Sequence, residues 1–218
     1  MKQSILRRPF NYSYSNVTFL LIGINILVYF ANMILPDTRV YMAMVPALVI
    51  TKHTYWQFFT YMFVHGNMSH ILFNMLGLFF FGASVERRMG SREFLLFYLL
   101  TGALAGLFSF VVYYFTASYY VILLGASGAV YAVLLAYAVY YPDSRIFIFG
   151  LIPVKASVMV IAYTVIELFS QFSGAGGGVA HLTHLAGFAF AFLYFVIRLG
   201  ENPLKSFLGG TRGGGPWR

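Results

Sequence analysis

Six apolar runs organise the chain, at about 17–35, 70–85, 93–117, 126–141, 156–172 and 180–199. A helix needs about 20 residues to cross the hydrocarbon of a bilayer, and fewer when its top is sunk beneath the surface. Lipid cannot satisfy an open backbone, so the runs predict six membrane-spanning helices. The second and fourth runs are short, and they begin at polar residues, His70 and Ser127. Both predict helices whose upper ends lie inside the membrane. The first run, TFLLIGINILVYFANMIL, follows Lys2, Arg7 and Arg8 as a signal peptide would. It is too long for a signal core and lacks a small-residue cleavage site, so it reads as a retained span.

Charge orients the bundle. Twelve of the 14 Lys and Arg residues lie on one side: at the N-terminus, at Arg87, Arg88 and Arg92, at Arg145 and Lys155, and from Arg198 onward. The other side has only Arg39 and Lys52. The positive-inside rule then places both termini in the cytoplasm, with a prokaryotic cell (inner) membrane as the expected location.

Composition supports the membrane reading. Of 218 residues, 60% are hydrophobic and only 9% charged, against about 25% charged in soluble domains. The net charge of +8 does not point to nucleic acid, because it is split into short juxtamembrane clusters. With no Cys there is neither a thiol nucleophile nor a thiolate metal site. Three segments follow: a cytoplasmic 1–16, a six-helix core at 17–199 and a tail at 200–218 expected to be disordered. No internal repeat is visible.

Two outward connections stand out. Residues 36–69 carry MAMVPALVI and the aromatics Tyr55, Trp56, Phe58 and Phe59, which suits an interfacial element with rings at headgroup level. The stretch SGAGGGVA at 173–180 reads either as a linker or as a mobile lid.

Polar residues in the spans converge at one depth. Ser127 lies 15 residues before Pro142, His184 lies 14 before Arg198, and Asn74 lies 13 before Arg87. At about 1.5 Å per residue each stands roughly 20–23 Å above the cytoplasmic boundary, about 10 Å below the outer surface. Intramembrane polar groups are costly and point to function by default. A serine hydroxyl becomes a nucleophile when a base takes its proton, and histidine is the usual base near neutral pH. Ser127 falls in the first turn of its helix, where backbone N–H groups are unpaired and the dipole is positive. His70 and Asn74, four residues apart, share a helix face and are candidate oxyanion donors. No acid lies near His184 in sequence, so a Ser–His dyad without an acid is expected. Glu167, placed toward the middle of its run, reads as a packing or polar-pair residue. Rows of small residues, Gly128 with Ala132 and Ala136 and Gly187 with Ala191, predict close approach of the fourth and sixth helices. Tyr131, one turn below Ser127, is placed to pack on His184.

These residues resemble the rhomboid intramembrane serine proteases. The carriers are GASG at 125–128, HILFN at 70–74 as HxxxN, HLAG at 184–187 as HxxG, and VERRMG at 85–90 after the second helix. The resemblance covers about 17–199 and implies an all-α, six-transmembrane-helix bundle with an interfacial first outer loop. It implies Ser127 as nucleophile, His184 as general base, and an oxyanion hole from His70, Asn74 and the Ser127 N–H. Tyr131 is the implied support for His184 and the 173–180 loop the implied cap; Gly125 is expected to let the chain turn into the sunken helix start, and Gly128 with Gly187 to let the sixth helix bring His184 close. Implied partners are transmembrane protein substrates within the lipid bilayer, cut at small residues where the helix unwinds, with no nucleic acid. No cofactor and no metal are implied; the oligomeric state is left open.

The departures are few. Gln57 follows Trp56 where many members have Arg, Ala191 replaces the second glycine of GxxxG, and His181 adds an imidazole one turn from His184. Three rival readings fit less well: a zinc protease, lacking HExxH, Cys or a nearby Asp; a transporter, lacking inverted repeats; and an inactive rhomboid-like pseudoprotease that binds membrane proteins. The last would have lost Ser127 or His184, and both are present.

Overall fold

The computed structural model describes residues 10–148, 151–173 and 179–207. The elements run α1 (Val17–Ile34), α2 (Asp37–Met42), α3 (Pro46–Lys52), α4 (Gln57–Thr60), α5 (Met68–Gly77), α6 (Ala83–Met89), α7 (Ser91–Phe115), α8 (Ser127–Tyr140), β1 (Arg145–Ile148), β2 (Ile152–Lys155), α9 (Ala156–Ser173), α10 (Val179–Tyr194) and α11 (Pro203–Phe207). A π-turn at Leu78–Gly82 joins α5 to α6, and another at Phe195–Leu199 extends α10. Among the described residues four helices are long and apolar enough to cross a membrane: Val17–Ile34, Met68–Met89, Ser91–Phe115 and His181–Leu199. Ser127–Tyr140 and Ala156–Gln171 are shorter apolar helices.

Every apolar run is thus helical, but the lengths differ from expectation. The second helix is not short. It continues beyond the apolar run to Met89 because Glu86, although charged, is wholly buried and has partners there. Its carboxylate accepts from the backbone N–H groups of Val17 (2.7 Å) and Thr18 (2.8 Å) and from the Thr18 hydroxyl (2.7 Å). The Ser91 hydroxyl donates to the same carboxylate. An anion at the N-terminus of α1 meets unpaired N–H groups and the positive end of the dipole. Glu86→Ala strands these donors, and a loss on the order of 3 kcal/mol is expected, read as a lower melting temperature in detergent. An unchanged melt would remove Glu86 from the account of α1 docking.

Glu93 is the counterpart at the other long helix. Buried at the start of α7, it receives Tyr194 of α10 and Arg198 of the π-turn that extends α10, with Arg198 Nη2 at 2.9 Å. Glu86 and Glu93 are thus buried acids within helices long enough to cross a membrane.

α8 is buried nearly all round, as a helix at the centre of a bundle must be. Its small residues permit contact that larger ones would block. A Cβ added to Gly187 of α10 would run into the backbone carbonyl of Gly128, so the two helices touch backbone to backbone. α7 closes the other side: Gly102 and Gly106 accommodate Met62 and Tyr61, and the Tyr61 hydroxyl donates to the Gly102 carbonyl at 2.6 Å.

The 36–69 connection is mostly short helices, with a 3₁₀ turn at Tyr61–Phe63. Gln57, noted as a departure, is completely buried and braces this region. Its carbonyl accepts from Val45 N–H at 3.1 Å, and its amide donates to the Val40 and Tyr41 carbonyls at 3.2 and 3.1 Å. Gln57→Ala is expected to cost about 1–3 kcal/mol and to speed protease nicking between residues 37 and 63. Tyr55, Trp56 and Phe59 are exposed as expected, whereas Phe58 packs edge-on against Phe110 of α7. An antiparallel hairpin, Arg145 opposite Lys155 through Ile148 opposite Ile152, lies where no strand was expected. The loop expectation for 173–180 falls largely on residues 174–178, and the disorder expectation largely on 208–218. Both segments lie outside the described residues; residues 203–207 are helical.

Candidate active site

α8 opens at Ser127, directly after Ala126, which is fully buried, and Gly125, whose φ of +119° is a conformation that glycine alone adopts readily. The Gly125 N–H donates to the Tyr61 carbonyl at 3.0 Å, fixing the turn that aims the helix start. A Cβ on Gly125 would lie 2.6 Å from His70 Nε2 and 3.8 Å from Ser127 Oγ. Glycine is thus required both for backbone shape and for the approach of His70.

His70 and Asn74 lie on α5. Asn67 caps that helix by accepting from the His70 N–H at 2.8 Å. Asn74 donates one amide hydrogen to the His70 carbonyl at 2.8 Å; a carboxamide carries two. His184 comes from α10. Ser127, His184, His70, Asn74, Gly125 and Tyr131 all line one cavity of about 600 Å³. Three helices therefore deliver to one space the groups that depth counting aligned.

The His184 ring stacks on Tyr131 at 4.1 Å between centroids and 11° between planes. The expectation of no accompanying acid is corrected here. Glu167 of α9 sits 2.9 Å from His184 Nδ1, and its other oxygen lies 2.5 Å from His181 Nδ1. It also accepts from the Tyr131 hydroxyl at 2.6 Å. Periodicity could not pair residues on different helices, yet one signal was present: a carboxylate deep in an apolar run needs partners. Glu167, His181 and His184 offer three ligand-type atoms within 4.8 Å of one another. All three are already joined by hydrogen bonds within the cluster.

Behind His70, the His65 ring packs edge-on at 5.1 Å. Burial, reinforced by His70, lowers its pKa to about 4 and keeps it neutral.

Fold and site together define a multi-span helical membrane protein with a cavity that gathers a serine, histidines and a carboxamide. Residues 52–201 match the family model described as the Rhomboid domain, and the chain belongs to the rhomboid family. It is 31% identical over 182 residues to the rhomboid protease GlpG of Enterobacter sp. (strain 638), covering 80% of this chain and 62% of that protein. It is also 31% identical over 119 residues to the rhomboid protease GlpG of Salmonella newport (strain SL254), covering 54% of this chain and 41% of that protein. The chain thus matches less than two thirds of the length of either relative.

Proposed function

We propose that the chain is an intramembrane serine endopeptidase that cleaves transmembrane segments, with Ser127 as nucleophile and His184 as general base. One observation carries this reading: both residues line the same cavity as His70 and Asn74. Six spans are proposed, the shorter α8 and α9 counting as two, with both termini cytoplasmic by the charge distribution. The catalytic core is 17–199.

Ser127 Oγ attacks the scissile carbonyl as its proton passes to His184 Nε2. The carbonyl oxygen becomes an oxyanion within reach of the Ser127 N–H, of His70 and of the second Asn74 amide hydrogen. The imidazolium then protonates the leaving amine, and the acyl-enzyme forms. Water entering the cavity gives its proton to Nε2 and releases the acid product, restoring Ser127. The substrate helix must unwind to present its carbonyl, which favours small residues at the cut.

The test is cleavage of a single-span substrate by purified protein in detergent. Cleavage is expected to resist chelators and to be lost in Ser127→Ala. Cleavage that survives Ser127→Ala would sink the serine mechanism. No cleavage by the wild-type chain, with substrate still bound, would favour the pseudoprotease.

A further inference from the structure

We infer that Glu167, steadied by His181, is a positioning residue for His184, converting the proposed dyad into a Ser127–His184–Glu167 relay. This inference rests on the reading of His184 as the base. Glu167 is 5% exposed and comes from α9, a helix that supplies none of the groups proposed above. One of its oxygens faces His184 Nδ1 at 2.9 Å and the other faces His181 Nδ1 at 2.5 Å. The Tyr131 hydroxyl, donating at 2.6 Å, adds a third tether.

Which imidazole nitrogen carries the proton is set by the partner of the other. A carboxylate at Nδ1 holds the proton there and leaves Nε2 as an acceptor for the Ser127 proton. It also stabilises the imidazolium formed during attack, in a setting of low dielectric where such a charge is worth most. Tyr131 has two contacts with the assembly: its ring stacks on His184 while its hydroxyl holds Glu167. His181, three residues before His184, projects from the same side of α10 and occupies the second carboxylate oxygen. The carboxylate is thereby held from several sides and cannot swing away from Nδ1. A purely structural acid would satisfy its hydrogen bonds equally well, so the two roles are separated by proton chemistry rather than by stability.

The titratable groups facing His184 are Glu167 from α9, Tyr131 from α8, His181 from α10 itself and His70 from α5, with Arg39 acting on His70 from behind. Of these, Glu167 is the one anionic group. Removing its charge disfavours the imidazolium. The acidic limb of kcat/KM, which reports protonation of the base in the free enzyme, then moves to lower pH while the rate falls.

The experiment follows cleavage of a single-span substrate by the full chain in detergent across pH, for wild type, Ser127→Ala, Glu167→Gln and Glu167→Asp. Glu167→Gln is expected to lower kcat at least about 10-fold with KM nearly constant, and to move the acidic limb to lower pH. Glu167→Asp retains the charge and is expected to return the limb to its wild-type position with part of the rate. A Glu167→Gln enzyme with wild-type kcat and limb, beside an inert Ser127→Ala, overturns the inference and leaves the dyad standing. A folded Glu167→Asp protein whose acidic limb lies below the wild-type position overturns it as well, which keeps the test decisive if Glu167→Gln fails to fold. Wild-type activity removed by a chelator and restored by Zn²⁺ assigns the cluster to a metal instead. Cleavage by Ser127→Ala overturns the nucleophile reading and this inference with it.

Discussion

Ser127→Ala is expected to reduce cleavage by about 10⁵–10⁶-fold in kcat, equivalent to roughly 7–8 kcal/mol of barrier. The bond-forming atom is gone, and what remains is binding plus oxyanion stabilisation of attack by water. His184→Ala is expected to cost about the same, because an unactivated hydroxyl is a weak nucleophile. The double variant is the most informative of the three. Residues that act as a unit do not add, so Ser127→Ala/His184→Ala should be no slower than either alone. Additive losses would show that the two act in separate steps. Ser127→Ala removes no packing group, since its side chain lines the cavity, whereas His184→Ala also removes the ring stacked on Tyr131 and a partner of the buried Glu167. The Ser127→Ala melting temperature should stay near wild type while kcat collapses.

The second large effect comes from a single methyl group. Gly187 presses on Gly128, and an added Cβ would collide with the Gly128 carbonyl oxygen and approach its carbonyl carbon to 3.0 Å. Backbone cannot rotate aside as a side chain can, and packed interiors do not compress. Gly187→Ala must therefore push α10 away from α8, and these helices carry His184 and Ser127. A displacement of about 1 Å between reacting groups costs on the order of 100-fold in rate, and the overpacking costs about 1–3 kcal/mol. The expected outcome is at least a 100-fold loss of kcat with a lowered melting temperature. Gly23→Ala is the control, since a Cβ there meets nothing within 4 Å. If Gly187→Ala cleaves at the Gly23→Ala rate, backbone contact between α8 and α10 does not position the dyad.

The membrane character of the chain and the residues gathered in its cavity were legible in one dimension. Apolar runs announce helices because lipid admits few alternatives. Counting residues from the cytoplasmic ends of the runs predicted one height for Ser127, His184 and Asn74 because helical rise is constant, and the three line one cavity. The small residues at Gly128 and Gly187 declared their contact because a missing side chain matters where backbones must meet.

Other features depended on contacts between distant segments. Glu86 reaches Val17 across 69 positions, Glu93 meets Arg198 across 105, and Glu167 joins His184 across 17 and Tyr131 across 36. Each is a buried carboxylate whose cost is offset by donors on another helix, and hydropathy registers the cost without naming the donors. Gln57 is similar: one side chain fills a gap between three backbone groups that only the folded loop assembles. By itself, then, the sequence determined that the apolar runs are helical and suggested which of their polar residues meet, because periodicity and rise are local properties. The tertiary structure alone decided that an acid stands behind His184, because the angle at which α9 meets α8 and α10 has no counterpart in residue spacing.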